Sequence, residues 1–226
     1  MDLPHEEGKT AFLDALQRHL SSVETLDDHQ LLAPTRCYGW SVVDLLVHLN
    51  LSLQEMSQDF SSTTDREPEV NAATYWLTDL PRSDPAADEV DAISFIRRVA
   101  SAYRRPTGLV RHLRRTADAL ARAAAQVGPG ALVFQDHVMT TGNYFATWAA
   151  ELAVHHLDLM VALSLEGPTT ASLQIARRTV ESLLGSALPE TWSDEEAVLV
   201  GWGRTPPTSE QRAAAGELAD RLPVLS

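Results

Sequence analysis

Ser41-Val42-Val43-Asp44-Leu45-Leu46-Val47-His48-Leu49 opens the stretch that decides the fold. From Val42 onward, Leu45, Leu46, Leu49, Leu53, Met56 and Phe60 recur at three- and four-residue steps, the period of one helical face. A stripe of about twenty residues predicts a helix packed on a bundle. Ser41 is placed to cap its first turn, and the segment from Leu31 to Trp40, with Pro34 and Gly39, reads as the connection before it. His48 falls at the flank of the stripe rather than at its centre.

The same period returns in Tyr144-Phe145-Ala146-Thr147-Trp148-Ala149-Ala150-Glu151-Leu152-Ala153-Val154-His155-His156-Leu157-Asp158-Leu159, within a helix expected over about 143–163. Glu151 and His155, four residues apart, share a face at the edge of this second stripe. Flank positions on two packed helices meet at the mouth of a bundle, so His48, Glu151 and His155 could hold one metal ion. Three protein ligands leave a coordination position open, as a catalytic site requires. The bland alternatives are a partly buried histidine and a helix-stabilising Glu-His pair. His156 points further into the apolar stripe, as core or as a neighbour of the ligands. Asp158 either orients His155 through its ring nitrogen or faces solvent.

Elsewhere helical periods dominate. Residues 9–20 form one helix. Residues 61–90, polar and broken by Pro68, Pro81 and Pro85, read as a long loop or lid with a short helix around Tyr75-Trp76-Leu77. Helix resumes near Asp91, breaks near Pro106-Thr107-Gly108 and stops at Gly128-Pro129-Gly130. That region gathers Arg97, Arg98, Arg104, Arg105, Arg111, Arg114, Arg115 and Arg122, either a solvated, salt-bridged face or a wall for carboxylate or phosphate. Ala131-Leu132-Val133-Phe134 suits a short extended piece, and shorter helices follow over about 169–187, 193–200 and 208–221. His137 reads as a loop histidine, a possible substrate contact. Cys37 reads as packing rather than a nucleophile.

Composition fits one main core in an ordinary soluble chain of 226 residues, 44% hydrophobic and 22% charged. A net charge of −13 argues against nucleic acid. No run of about 18 apolar residues suggests a membrane span, and no leader pattern precedes residue 8, so a cytoplasmic location is expected. Cys37 is the one cysteine, which excludes an internal disulfide and a cysteine cluster. Lys9 is the one lysine beside many arginines, as in chains from GC-rich genomes.

Pro34-Thr35-Arg36-Cys37-Tyr38-Gly39-Trp40-Ser41-Val42-Val43-Asp44-Leu45-Leu46-Val47-His48-Leu49 resembles the N-terminal signature of the mycothiol-dependent maleylpyruvate isomerase family, within the DinB/YfiT-like superfamily. The stretch from Tyr144 to Leu159 resembles that family's second signature, and Gly201-Trp202-Gly203-Arg204-Thr205-Pro206 is a weaker echo. The resemblance implies an all-α, DinB-like four-helix bundle over residues 1–165, with a helical extension over 166–226 packed on it. It implies that His48, Glu151 and His155 bind a divalent metal, usually zinc, with Asp158 and His156 beside them. Mycothiol is the implied co-substrate, and a small electrophile the second substrate; the residues themselves suggest Tyr144, Trp148, His137 and Arg104 as the ones that bind thiol and substrate. A monomer or homodimer with no nucleic-acid or membrane partner is expected.

Three positions depart from the family pattern. Trp148 and Val43 stand where arginine is frequent, and Tyr38 where proline is. Trp148 removes a carboxylate clamp from the metal-facing side, so a small dianion fits poorly and a larger apolar or aromatic electrophile fits better. The 60 or so residues after the second signature also read as short helices, where family isomerases commonly carry a separate α/β domain. The reading is a thiol transferase or isomerase; a metal-dependent hydrolase and a non-catalytic ligand-binding bundle are the alternatives.

Overall fold

The computed structural model describes residues 1–78 and 85–225. Eight α-helices run through the described residues: α1 (His5–Val23), α2 (Val42–Asp59), α3 (Pro85–Ser101), α4 (Pro106–Ala124), α5 (Thr141–Leu159), α6 (Thr170–Leu184), α7 (Asp194–Gly201) and α8 (Ser209–Ala215). Three short strands, β1 (Thr63–Thr64), β2 (Ala131–Phe134) and β3 (His137–Thr140), pair antiparallel in the order β1-β2-β3. The class is all-α, and the helices form the DinB-like bundle that the resemblance implies.

Local chemistry fixes the two helices that matter most. The Asp44 carboxylate accepts from the Ser41 backbone N–H at 2.9 Å and from its hydroxyl at 2.6 Å, closing the start of α2. Thr140 starts α5 by accepting from the Asn143 N–H. Apolar on nearly every side, α5 is the central helix, and Glu151 is its one residue that is only partly buried, the rest being less than a tenth exposed. A helix hydrophobic all round belongs inside, so the exception marks where α5 meets solvent.

Packing sets the directions. α1 lies along α5, α2 pairs with α4, and α1 also touches α4. The α1–α5 crossing is close: a Cβ at Gly8 would sit 2.2 Å from the Gly142 carbonyl oxygen. Between α2 and α5, His48 lies near Glu151 at one end, while Tyr144 donates to Asp59 at 2.7 Å at the other. His48 and Asp59 are about three turns apart on α2 and Glu151 and Tyr144 about two turns apart on α5, in opposite order along the chain, so α2 and α5 run antiparallel. The C-terminal helices close the molecule, with α6 on α5 and α7 on α6. Ile175, Val180 and Trp202 share one continuous core with Phe12, Leu45 and Tyr144.

Several boundaries differ from the sequence expectation. α5 begins at Thr141, and α3 begins at Pro85 inside the expected loop. The short helix expected at Tyr75-Trp76-Leu77 is a 3-10 turn over Thr74–Leu77; Pro81 lies outside the described residues. The break before α4 falls at Ala102–Arg105, because Pro106 occupies a first-turn position where its missing N–H costs nothing. The extended piece at Ala131–Phe134 is β2, but β1 and β3 were unexpected. His137 is therefore a strand residue paired with Phe134 across a tight hairpin, not a loop residue.

Candidate metal centre

α2 delivers His48 and α5 delivers Glu151 and His155 to one point. Glu151 Oε1 lies 3.6 Å from His48 Nε2 and 3.1 Å from His155 Nε2. The two imidazoles face each other with centroids 5.1 Å apart, at 77°. Zinc bonds of about 2.0–2.1 Å in tetrahedral geometry put donor atoms about 3.3 Å apart, a spacing these distances bracket. The side chains are 29%, 21% and 7% exposed respectively, so the cluster opens to solvent on one side. Donor types, spacing and opening all fit a divalent ion.

Asp158 completes the arrangement from below. Its Oδ2 accepts from His155 Nδ1 at 3.0 Å, which keeps a proton on Nδ1 and makes Nε2, 3.1 Å from Glu151, the nitrogen that would give up its proton to an ion. Asp158 is fully buried. Burial pushes its carboxyl up, but the His155 contact and the Arg204 guanidinium outweigh this and hold it below the usual aspartate range. For Glu151 burial also acts upward, yet the His155 charge and hydrogen bonds from both histidines hold it far below the usual glutamate range. Burial lowers His155, while the Glu151 charge and the Asp158 bond carry it well above the usual histidine value.

The loop before α2 closes around this end of α5. Arg36 donates its backbone N–H to the Asp158 carbonyl at 3.2 Å and its guanidinium to the Leu157 carbonyl. The Cys37 thiol donates to Asp158 Oδ2 at 3.3 Å. Trp40 packs on the His48 ring with centroids 5.3 Å apart. Arg36, Cys37 and Arg204 carry no spacing relation to the ligand candidates. Their signal was their place in the first signature and its C-terminal echo.

The remaining site candidates scatter. Trp148, one turn before Glu151 on the same face, is 7% exposed among Phe134 and Tyr144, and its indole N–H makes no hydrogen bond within normal distance among the described residues. Tyr144 is fully buried with its hydroxyl committed to Asp59, so it backs the wall rather than lining it. His137 sits at the hairpin, opposite Phe134. Arg104 is exposed in the α3–α4 turn, with no hydrogen bond or ion pair to the cluster among the described residues. Its neighbours bear out the solvated face: Arg114 pairs with Glu24 and Asp118, and Arg97 donates to the Gly39 carbonyl. His156 turns inward to the Glu166 carbonyl at 2.7 Å, and burial lowers its pKa. A surface cleft lined by Phe60, Thr63 and Thr141 lies at the far end of α2 and shares no residue with the cluster.

Fold and cluster together define a DinB-like bundle with a histidine-glutamate-histidine donor set on two of its helices. The model of the mycothiol maleylpyruvate isomerase N-terminal domain matches residues 12–160, and the chain belongs to that family. No curated protein and no solved structure matches significantly. Among the described residues no helix is long and apolar enough to cross a membrane.

Proposed function

We propose that this chain is a cytoplasmic metal-dependent transferase or isomerase that turns a low-molecular-weight thiol, mycothiol, against an electrophilic small molecule. The observation that supports it most is the convergence of His48, Glu151 and His155 within 4.8 Å of one another at a solvent-open point, in a family named for mycothiol chemistry. These three residues would hold the ion, zinc above others. When bound, such an ion supplies a Lewis acid that lowers a thiol's pKa toward neutrality.

The chain's own residues do the rest. Asp158 holds the His155 ring in the tautomer that frees Nε2. Glu151 remains anionic at any physiological pH and brings a negative charge to the donor set. Trp148, with Trp40 across the His48 ring, keeps bulk water from one side. The thiol sulfur attacks an electrophilic carbon of the second substrate. Where that carbon belongs to a conjugated double bond, the π pair moves to the conjugating group. Bond rotation and return of the pair with expulsion of the thiolate then give an isomer, whereas protonation of the adduct at the neighbouring carbon gives a conjugate, as does displacement of a leaving group from a saturated carbon. Trp148 supplies aromatic surface where an arginine would clamp a carboxylate, which favours an apolar or aromatic electrophile over a small dianion.

The test is turnover of a panel of aromatic and aliphatic electrophiles by zinc-loaded protein, with and without mycothiol, followed by mass spectrometry of conjugates and isomers. Turnover should require the thiol and fall by at least about 100-fold in E151A, on the scale of losing a metal ligand or its support. Thiol-independent hydrolysis would instead mean that the site activates water.

A further inference from the structure

Two donor sets meet at His155. One is His48, Glu151 and the His155 Nε2 side; the other is Cys37 Sγ, His155 Nδ1 and Asp158 Oδ2, again within 4.8 Å of one another. A histidine, a carboxylate and a thiol suit zinc and other soft divalent ions at least as well as the first set does. Something must decide which ring nitrogen meets the ion.

The C-terminal segment supplies the deciding group. Arg204 Nε lies 3.2 Å from both Asp158 oxygens, and its Nη1 donates to the Trp202 carbonyl at 3.1 Å. The turn that presents it is specifically built. A Cβ at Gly201 would come within 2.5 Å of Val180, so only glycine lets α7 settle there on α6. The Trp202 indole donates to the Ala176 carbonyl at 3.3 Å and its ring meets Trp76. Gly203 takes a left-handed φ of +67°, after which the Arg204 N–H returns to the Leu199 carbonyl at 2.8 Å. The turn itself, Gly201 to Arg204, lies beyond residue 160, outside the matched family region.

We propose that Arg204 is a positioning residue that acts as a built-in cation, occupying the Cys37–His155–Asp158 donor set and thereby confining the metal to the His48–Glu151–His155 side. A guanidinium already neutralising the buried Asp158 leaves no room, electrostatically, for a second cation on that carboxylate. With Asp158 so held, it can only accept from His155 Nδ1–H, and the thiol of Cys37 remains a donor to it rather than a ligand.

The inference rests on the metal reading above, and cobalt(II) separates the two. Wild type, R204Q, R204K, C37S and R204Q/C37S are each titrated with cobalt and followed by near-ultraviolet absorption, where a thiolate ligand gives a charge-transfer band. Wild type, R204K and C37S should bind one cobalt with the same spectrum and no thiolate band. R204Q should acquire the band, and R204Q/C37S should lose it. A thiolate band in wild type, or a folded R204Q whose cobalt spectrum matches wild type, overturns the inference. If R204Q does not fold, C37S alone decides: an unchanged spectrum supports the inference and an altered one overturns it. Absence of any cobalt or zinc binding in wild type would instead remove the metal reading itself.

Discussion

His155 is pulled by protons on both sides. Without metal, Glu151 is held low and His155 high, so the two form a charged pair over the whole neutral range. The signs follow from linkage. Because His155 is raised above 6.5 in the folded state, its contribution to stability is complete below that pH and is lost as pH rises through the higher folded value. Because Glu151 is lowered below 4.5, its contribution is present above that pH and is lost as pH falls through the folded value. A metal must displace the His155 proton. Zinc affinity, measured by chelator competition, should therefore keep rising with pH above about 7.5, where an ordinary histidine is already about nine-tenths deprotonated. A plateau reached by about pH 7.5 would contradict this. At this scale the sequence was informative where chemistry depends on spacing: Glu151 and His155 are neighbours on any helix. It was silent on Asp158 facing His155 rather than solvent, because that depends on which side of α5 Arg204 approaches.

Helices with long stripes were legible because burial imposes a period on the sequence. α2 and α5 carry that period and lie where it puts them, each within a few residues of its expected ends. The hairpin of β2 and β3 was half legible. Its turn residues Gln135 and Asp136 take positive φ values of 47° and 67° without glycine, so the usual turn signature is missing. Strands of two to four residues are also too short for a period to show. Glycines in helices were the other missed signal. Gly142 sits one residue into α5, where a Cβ would meet the Leu3 carbonyl at 2.3 Å and the Pro4–His5 backbone below 3 Å. G142A must push α1 away from α5 and should cost about 1–3 kcal/mol, the range for overpacking a tight contact. Urea unfolding reads this directly, and a loss within about 0.5 kcal/mol, typical of a neutral surface change, would contradict so close a crossing.

Across the whole molecule, the bundle brings α2 and α5 together antiparallel, so donors from two distant stretches coincide at one mouth while Tyr144 and Asp59 tie the other end. That coincidence was anticipated from flank positions on two stripes, with the family signatures adding weight to it. The role of the C-terminal segment was not. Its helices were foreseen, but Gly201 to Arg204 reach Asp158 through a three-dimensional turn that no periodicity encodes. The arginines of α3 and α4 were left open between a solvated face and an anion-binding wall for a related reason: helical spacing shows that they are numerous, not which way those helices face.

The central claim is that His48, Glu151 and His155 form one metal site. Its most direct test is metal content by inductively coupled plasma mass spectrometry on untagged protein purified without chelator, for wild type, H48A and E151A, with circular dichroism as the control for folding. The account predicts close to one zinc or similar divalent ion per wild-type chain, and its loss in both variants with helicity intact. A wild-type chain that carries no metal and takes up none from added zinc, or variants that keep the wild-type content, would contradict it.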